Sequence, residues 1–280
     1  MIKKVFVFIN KGLFVFLVFI IIIWSLLPIY SLVLISITSD PGNFSTKLFE
    51  VPNKITLKHY WVILLNKNEW IWQYLVNSII IATVVTVVVL IVSILAGYSF
   101  SRLRNFTSTL FFNLFLFIRM IPMITLIIPY YIIIARFSLL DTRLGIILAH
   151  IPWGIPLGIW LMKGFFDEVP SELEEAAEID GASTARIIVQ IMLPIVAPGI
   201  AVTGIFVFIG SYIEYLFALT LSRTFAITLP IRIAGYSSLH LIRYEQMAAA
   251  TIIGAFFMVI LIVFAQKYIV RGLTYGAIKG

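Results

Sequence analysis

The sequence predicts an all-α membrane protein with six transmembrane helices, and three observations lead to this prediction. Of the 280 residues, 61% are hydrophobic and only 12% are charged, and the mean hydropathy is +1.08. A soluble domain carries about 25% charged residues, so this chain has too little polar surface to cover a water-soluble globule of its size. The apolar residues also gather into long continuous runs that contain few charges.

Six apolar runs are long enough to cross a bilayer, which takes about 20 residues for about 30 Å of hydrocarbon. In lipid the backbone must satisfy its own hydrogen bonds, so each run is predicted to be a helix. The runs are continuously apolar and lack the alternation of a membrane barrel. They extend approximately over Leu13–Ile37, Ile79–Ala96, Leu110–Ala135, Leu144–Met162, Ile195–Leu221 and Met247–Val270.

The first run follows Lys3, Lys4 and Lys11, as the apolar segment of a signal peptide would. It is longer than the 7–15 residues typical of such a segment, and no small-residue cleavage site follows before Asp40. It is therefore predicted to stay as the first transmembrane helix. We divide the chain into residues 1–76, which hold this helix and an outer loop with an amphipathic stretch at Leu57–Leu65, and residues 77–280, which form a five-helix core.

Orientation follows weakly from the basic residues. Six spans place both termini on one side of the membrane. The segments on that side hold ten Lys and Arg residues, and the loops on the other side hold nine. The basic N-terminus and the tight loop with Arg102 and Arg104 favour cytoplasmic termini under the positive-inside rule.

The sequence lacks the residues and motifs that several functional classes require, so we expect the protein to belong to none of these classes. Without cysteine there is no disulfide framework, thiol nucleophile or cysteine-bound metal. The net charge of +7 comes without a nucleic-acid-binding motif, so anionic lipid is the expected partner and nucleic acid is not. No phosphate-binding loop and no hydrolase motif occurs, so the chain is expected to be neither an enzyme nor a cofactor binder. His150 has no second histidine in any run, which argues against haem.

The loop 163–194, between the fourth and fifth runs, is the most informative segment. Seven of the 13 acidic residues lie between Asp167 and Asp180. Ser171 and Glu174 have the spacing of a capping box, and Gly181 can take the positive φ that ends a helix. A second short helix is expected from Ser183, and Pro194 is expected to end the loop.

Two interpretations of this short helix remain open on physical grounds. It is either a solvated acidic loop, or a docking surface on which the small Ala176 and Ala177, flanked by Leu173 and Ile179, let another protein approach closely.

The spacing of this loop resembles a known signature. Glu175-Ala176-Ala177, then Gly181, Ile191 and Leu193-Pro194 fill the EAA signature of the permease subunits of binding-protein-dependent ABC importers. Further segments resemble the carbohydrate branch of these importers, and the maltose-type second permease subunit most of all, from Asn77 to the C-terminus. They are Arg119-Met120-Ile121-Pro122, Leu139-Leu140-Asp141-Thr142, Asp180-Gly181-Ala182-Ser183 and Glu214-Tyr215-Leu216-Phe217-Ala218-Leu219, with Tyr212-Ile213 where that branch usually has Trp-Asn.

The resemblance implies a mechanism and a set of partners. The loop would be a cytoplasmic coupling helix that docks on an ATPase subunit and places both termini inside the cell. Glu175, Ala176, Ala177, Asp180, Gly181, Leu193 and Pro194 would form this contact. Two ATPase subunits would bind ATP-Mg and this chain no cofactor. A homologous permease would complete a heterodimer, and a solute-binding protein would deliver a carbohydrate against the outer loop Ser222–Gln246.

Charged and aromatic residues within the runs are candidates for the transport pathway. Arg119 and Glu214 are expensive in lipid and therefore functional by default, and each could line the pathway or join helices in a structural role. Counting about 1.5 Å per residue from the inner side places Arg119 near the midplane and Glu214 near the outer mouth, too far apart for a direct salt bridge. Tyr212 and Tyr215 could face the pathway or sit at the interface. The prolines of the runs could be tolerated kinks or hinges.

Two alternative functions remain. An ion-coupled secondary transporter would need carboxylates near mid-depth, where the runs have none, and a membrane enzyme would need a catalytic constellation, which the sequence does not show.

Overall fold

The structure, a computed structural model, describes residues 2–39, 54–66, 69–103, 105–237 and 242–275. Arg104, of the predicted tight loop, lies outside these residues. The regular structure is helical apart from two isolated β-bridges among the described residues, Thr38–Ile55 and Ser237–Ile242. The chain divides into two compact units, one formed by Met1–Ile71 with Ile233–Ala255 and the other by Trp72–Arg232 with Phe256–Gly280. The proposed division at residue 76 stays a prediction.

The first unit contains α1 (Ile2–Ser36), α2 (Lys58–Leu65) and the start of α13 (Tyr244–Tyr275). Helix α2 coincides with the amphipathic stretch noted at Leu57–Leu65. The Ser36 hydroxyl lies 2.8 Å from the Tyr60 hydroxyl, and His59 Nε2 lies 2.9 Å from the Thr38 carbonyl oxygen. These contacts hold α2 against the end of α1.

The second unit carries the predicted core and its loop. Its helices, in chain order, are α3 (Trp72–Arg102), α4 (Phe106–Ile118), α5 (Met123–Arg136), α6 (Arg143–Asp167), α7 (Glu172–Ile179), α8 (Thr184–Ile187), a π-helical turn (Ile188–Met192), α9 (Leu193–Ile195), α10 (Ala197–Tyr212), α11 (Leu216–Leu221) and α12 (Leu229–Ala234), the last of which runs on into the first unit.

Helices α3 and α6 form the centre of this unit, and α10 packs against both. Their backbones approach closely because small residues lie at the contact, a common device in membrane helices. An ideal Cβ on Gly97 of α3 would lie 2.8 Å from Met162 Cβ and 3.0 Å from the Lys163 backbone nitrogen of α6. Branched residues such as Val85, Val89 and Ile146 fill the rest of the contact.

Gly97→Ala is expected to lower the thermal stability of the detergent-solubilised protein. The new methyl group would meet the rigid backbone of α6, and such overpacking costs about 1–3 kcal/mol. Gly164→Ala is the matched control, because a Cβ there meets no atom within 4 Å. Equal unfolding temperatures for the Gly97→Ala variant and the wild type would contradict close packing of α3 on α6.

Four helical segments of the described chain are long and apolar enough to cross a membrane: Leu13–Ser36, Trp72–Arg102, Arg143–Asp167 and Tyr244–Phe264. Two bent pairs bring the number to six if each pair counts as one span. Helices α4 and α5 meet at 92°, and the segments Thr184–Ile195 and Ala197–Tyr212 meet at 78°. The chain is thus a helical membrane protein of the predicted class, and the count of six stays a prediction.

The third and fifth runs, each predicted to be helical, are broken in the structure. The first break ends at Pro122, which disfavours helical geometry in the residue before it. The second lies at Val196, and Pro198 stands in the first turn of α10, where its missing N–H is tolerated. A third break separates α10 from α11 at residues 213–215.

Helices overlap both ends of the loop predicted at 163–194. Helix α6 continues to Asp167, so Lys163 lies within it, where it pairs with Asp167 four residues on. At the other end Pro194 lies at the start of α9, where its missing N–H is tolerated, and the bend comes later, at Val196.

Candidate functional site

Helix α7 begins without the predicted capping box. The hydroxyl of Ser171 makes no capping hydrogen bond, and its backbone is already helical at φ −67° and ψ −24°. The Glu174 side chain turns inward and is only 7% exposed. It accepts hydrogen bonds from the Tyr98 hydroxyl at 2.7 Å and from Arg102 Nε at 2.6 Å. The charge-assisted hydrogen bond to Arg102 is stronger than the bond that Glu174 would make as a capping residue.

The C-terminal end of α7 confirms the predicted stop at Gly181. Gly181 has φ +79°, a left-handed conformation that non-glycine residues rarely adopt. The Gly181 N–H donates to the Glu178 carbonyl and the Ala182 N–H to the Ala177 carbonyl, each at 2.9 Å. This pair of bonds is the Schellman arrangement. The Ser183 hydroxyl then accepts from the Arg186 N–H and caps α8, as predicted.

The faces of α7 differ in chemistry. Ala177 packs inward on the apolar cluster around Phe166 and Ile187. Ala176 is exposed, between Leu173, which is 45% exposed, and Ile179, which is 87% exposed. The other predicted docking residues are Glu175, Asp180, Gly181 and Pro194, which are exposed, and Leu193, which is half-buried. Their role in docking stays a prediction.

A second candidate site is a small cavity between α3, α6, α10 and the breaks in the helices. Its volume is ≈ 60 Å³, room for a few water molecules. Arg119 and Glu214 both line it, together with His150, Trp153 and Ser211. The Arg119 guanidinium carbon lies 5.6 Å from the centre of the Trp153 ring, and Arg119 Nη1 donates to the Trp153 carbonyl at 3.4 Å.

Within this cavity Glu214 pairs with His150. Its Oε2 lies 2.9 Å from His150 Nε2, and His150 Nδ1 lies 2.8 Å from the Ser211 hydroxyl. Both oxygens of Glu214 also accept backbone bonds, from the N–H of Phe217 at 2.9 Å and of Ala218 at 3.1 Å. The carboxylate therefore caps α11 while it holds α6.

Sequence reasoning missed His150, because it was weighed only as a haem ligand. The available signal was its position in an apolar run: a buried imidazole needs a partner, and Glu214 has the same need. That Arg119 and Glu214 form no direct salt bridge stays a prediction. Their separate depths stay a prediction, and depth counting along unbroken helices did not foresee that both would line one cavity.

The two tyrosines among the predicted pathway residues lie beside the cavity lining. Tyr212 is buried at the end of α10, with its ring stacked on Phe208 at 6.0 Å between centroids. Tyr215 precedes α11 and is half-buried. A role in the pathway stays a prediction for both.

The turn between α5 and α6 holds one more ordered site, at Asp141. The carboxylate accepts backbone N–H bonds from four consecutive residues, Arg223 to Ala226, at 2.8–3.1 Å. Burial alone would raise the pKa of this carboxyl, but the four N–H donors outweigh burial and lower the pKa to about 2. Asp141 thus ties the α5–α6 turn to the segment that follows α11.

Asp141→Asn is expected to lower the free energy of unfolding by about 1 kcal/mol at pH 7, less than the full pKa difference implies because the carboxylate faces water. Because the pKa is depressed on folding, this stabilisation is complete above the unfolded pKa of about 4 and disappears as the pH falls towards 2. Thermal unfolding of both proteins in detergent between pH 7 and pH 2.5 measures the difference. A difference that stays constant over this range would contradict the assignment.

The long apolar helices, with the short polar helix α7 between α6 and α8, define a multi-pass integral membrane protein. Residues 89–275 match the family model described as binding-protein-dependent transport system inner membrane component. The chain belongs to this family of ABC transporter permeases, which confirms the resemblance inferred from the EAA signature.

Curated relatives match along nearly the whole chain. The trehalose/maltose transport system permease protein MalG of Thermococcus litoralis is 34% identical over 91% of this chain and 92% of its own. The trehalose transport system permease protein SugB of Mycobacterium tuberculosis is 32% identical over 92% of this chain and 93% of its own. A chain from the crystal structure of a bacterial ABC transporter involved in the import of the acidic polysaccharide alginate has a TM-score of 0.72 at 21% identity, with 93% of this chain and 96% of that chain covered, and shares the fold.

Proposed function

We propose that this chain forms half of the translocation pathway of an ATP-driven importer for a carbohydrate. The transport role is supported by the chain's membership of the permease family. The carbohydrate cargo is supported by relatives whose names include trehalose, maltose and maltodextrin. A small oligosaccharide of glucose is thus the cargo to test first.

In this proposal α7 is the contact with a cytoplasmic ATPase subunit. Leu173, Ala176 and Ile179 present an exposed apolar strip on a short helix that is otherwise acidic. Exposed apolar side chains beside charged ones are typical of a surface that binds another protein. A cytoplasmic α7 would place both termini inside the cell.

The remaining partners follow from the same proposal. A second, homologous permease would complete the pathway, since the ≈ 60 Å³ cavity is far smaller than a sugar. Two ATPase subunits would bind ATP-Mg, and an extracytoplasmic binding protein would meet the outer loop Ser222–Gln246.

Of the residues that line the cavity, Arg119 is the one best suited to meet cargo. Its guanidinium and the Trp153 ring together offer hydrogen-bond donors and a flat apolar face, a combination that suits a sugar. The Glu214 oxygens are already bonded to His150 and to the start of α11. We therefore assign Glu214 to the support of the pathway wall.

The ion-coupled alternative has no support from the relatives and structures named above. The carboxylate that lines the cavity already accepts hydrogen bonds from His150 and two backbone N–H groups. A coupling carboxylate must instead exchange its partner for an ion in each cycle.

Affinity purification of the chain from its native membrane in mild detergent tests the proposal. A P-loop ATPase and a second permease are expected to copurify. Recovery of the chain without an ATPase, under conditions in which it stays folded, would overturn the proposed assembly.

A further inference from the structure

Arg102, the last residue of α3, reaches across to the end of α6. Its Nη1 donates to the Phe166 carbonyl and its Nη2 to the Val169 carbonyl, both at 3.1 Å. Carbonyls at the end of a helix lack partners within the helix, so a guanidinium is well suited to satisfy them. Arg102 thus joins the neighbouring ends of α3 and α6.

The same guanidinium holds α7 through Glu174. Arg102 Nε lies 2.6 Å from Glu174 Oε1 and Arg102 Nη2 lies 2.5 Å from the same oxygen, while the other oxygen accepts from the Tyr98 hydroxyl of α3. Glu174 is the buried carboxylate of α7, and its three acidic neighbours Glu172, Glu175 and Glu178 are exposed. Breaking an ion pair as buried as this one destabilises a protein much more than breaking an ion pair on the surface does.

The backbone alone would attach α7 more loosely. Residues 168–171 on one side and 180–183 on the other are short non-helical connections that link α7 to α6 and α8. The Arg102–Glu174 bond bypasses both connections. It connects α7 to α3 and α6, and α6 carries His150 and Trp153 of the cavity wall.

We infer that Arg102 and Glu174 are a pair of positioning residues that make α7, the end of α3 and the end of α6 move as one body. This inference rests on the proposed function, in which an ATPase displaces α7. Displacement of α7 then shifts α6 and the cavity wall without being absorbed by the adjoining connections.

The first test measures coupling in the complete transporter, with both permeases, the ATPase subunits and the binding protein reconstituted in proteoliposomes. Trehalose and maltose uptake and ATP hydrolysis are measured together. Glu174→Gln, which keeps the shape and removes the charge, is expected to lower uptake per ATP by about fivefold or more, the lower end of typical coupling between sites. The matched control is Glu172→Gln, which removes the same charge from an exposed position of α7.

A double variant separates the pair from a general loss of structure. If the two residues act together, Arg102→Gln with Glu174→Gln loses no more coupling than Arg102→Gln alone, since Arg102 also bonds the Phe166 and Val169 carbonyls. A merely destabilising change would reduce the amount of folded transporter and leave uptake per ATP unchanged.

The second test measures the distance directly. The chain has no cysteine, so spin labels at Ser99→Cys on α3 and Glu178→Cys on α7, both exposed, report one distance. The distance is expected to be the same without nucleotide and with bound ATP, and to broaden or shift in Glu174→Gln. A change between the two nucleotide states in the wild type, or full coupling in Glu174→Gln, would overturn the inference. Absence of ATP-driven uptake in the wild type would instead count against the proposed function.

Discussion

Glu214→Ala is expected to destabilise this permease by about 3 kcal/mol, because the change removes several buried hydrogen bonds at once. His150 Nε2 loses its partner in the protein interior, and the N–H groups of Phe217 and Ala218 lose the carboxylate that caps α11. The α10–α11 break and its contact with α6 should therefore loosen. The thermal unfolding midpoint in detergent measures the effect.

Two controls bracket this result. Glu168→Ala removes an exposed acidic residue and is expected to leave the midpoint unchanged. His150→Ala should lower the unfolding midpoint by a similar amount to Glu214→Ala. The double variant should lower it by less than the sum of the two single effects, because the two residues share one bond. If the Glu214→Ala variant unfolded at the same midpoint temperature as the wild type, the carboxylate would not support the cavity wall.

Gly181→Val is expected to reduce ATP-driven uptake by about tenfold, since a left-handed backbone costs a branched residue about 1–2 kcal/mol. A Cβ at Gly181 meets no atom within 4 Å, so the effect comes from the backbone at φ +79° and not from a clash. The strained residue would unwind the Schellman turn and shift the end of α7. Uptake in proteoliposomes at equal amounts of transporter measures the change.

The matched substitution for this prediction is Gly181→Asn, since asparagine tolerates the left-handed conformation better than other non-glycine residues. Its uptake should lie close to that of the wild type. If the valine variant transported as well as the asparagine variant, the backbone of Gly181 would not set the position of α7.

Much of the architecture could be predicted because its causes are local in sequence. The apolar runs follow from the need to match the thickness of a bilayer, and the end of α7 follows from one glycine with positive φ. The amphipathic stretch noted at Leu57–Leu65 coincides with α2. These features depend on residues that are close together along the chain.

The features that the sequence concealed depend on contacts between distant residues. Glu174 has the spacing of a capping residue, and only the approach of α3 shows that Arg102 and Tyr98 bind it instead. His150 and Glu214 are 64 positions apart, and neither suggests the other before α6 and α10 are packed. Pro122 and Pro198 were compatible with a kink or a hinge, and both stand at breaks in the structure.

The proposed function depends most directly on the source of energy for transport. The decisive measurement is uptake of labelled trehalose and maltose by proteoliposomes that hold the complete transporter, with ATP supplied to the ATPase side and no ion gradient. ATP should drive uptake in the presence of the binding protein, and uptake should stop when ATP is withheld. Uptake that continues without ATP when a proton or sodium gradient is imposed would contradict the assignment and favour an ion-coupled transporter.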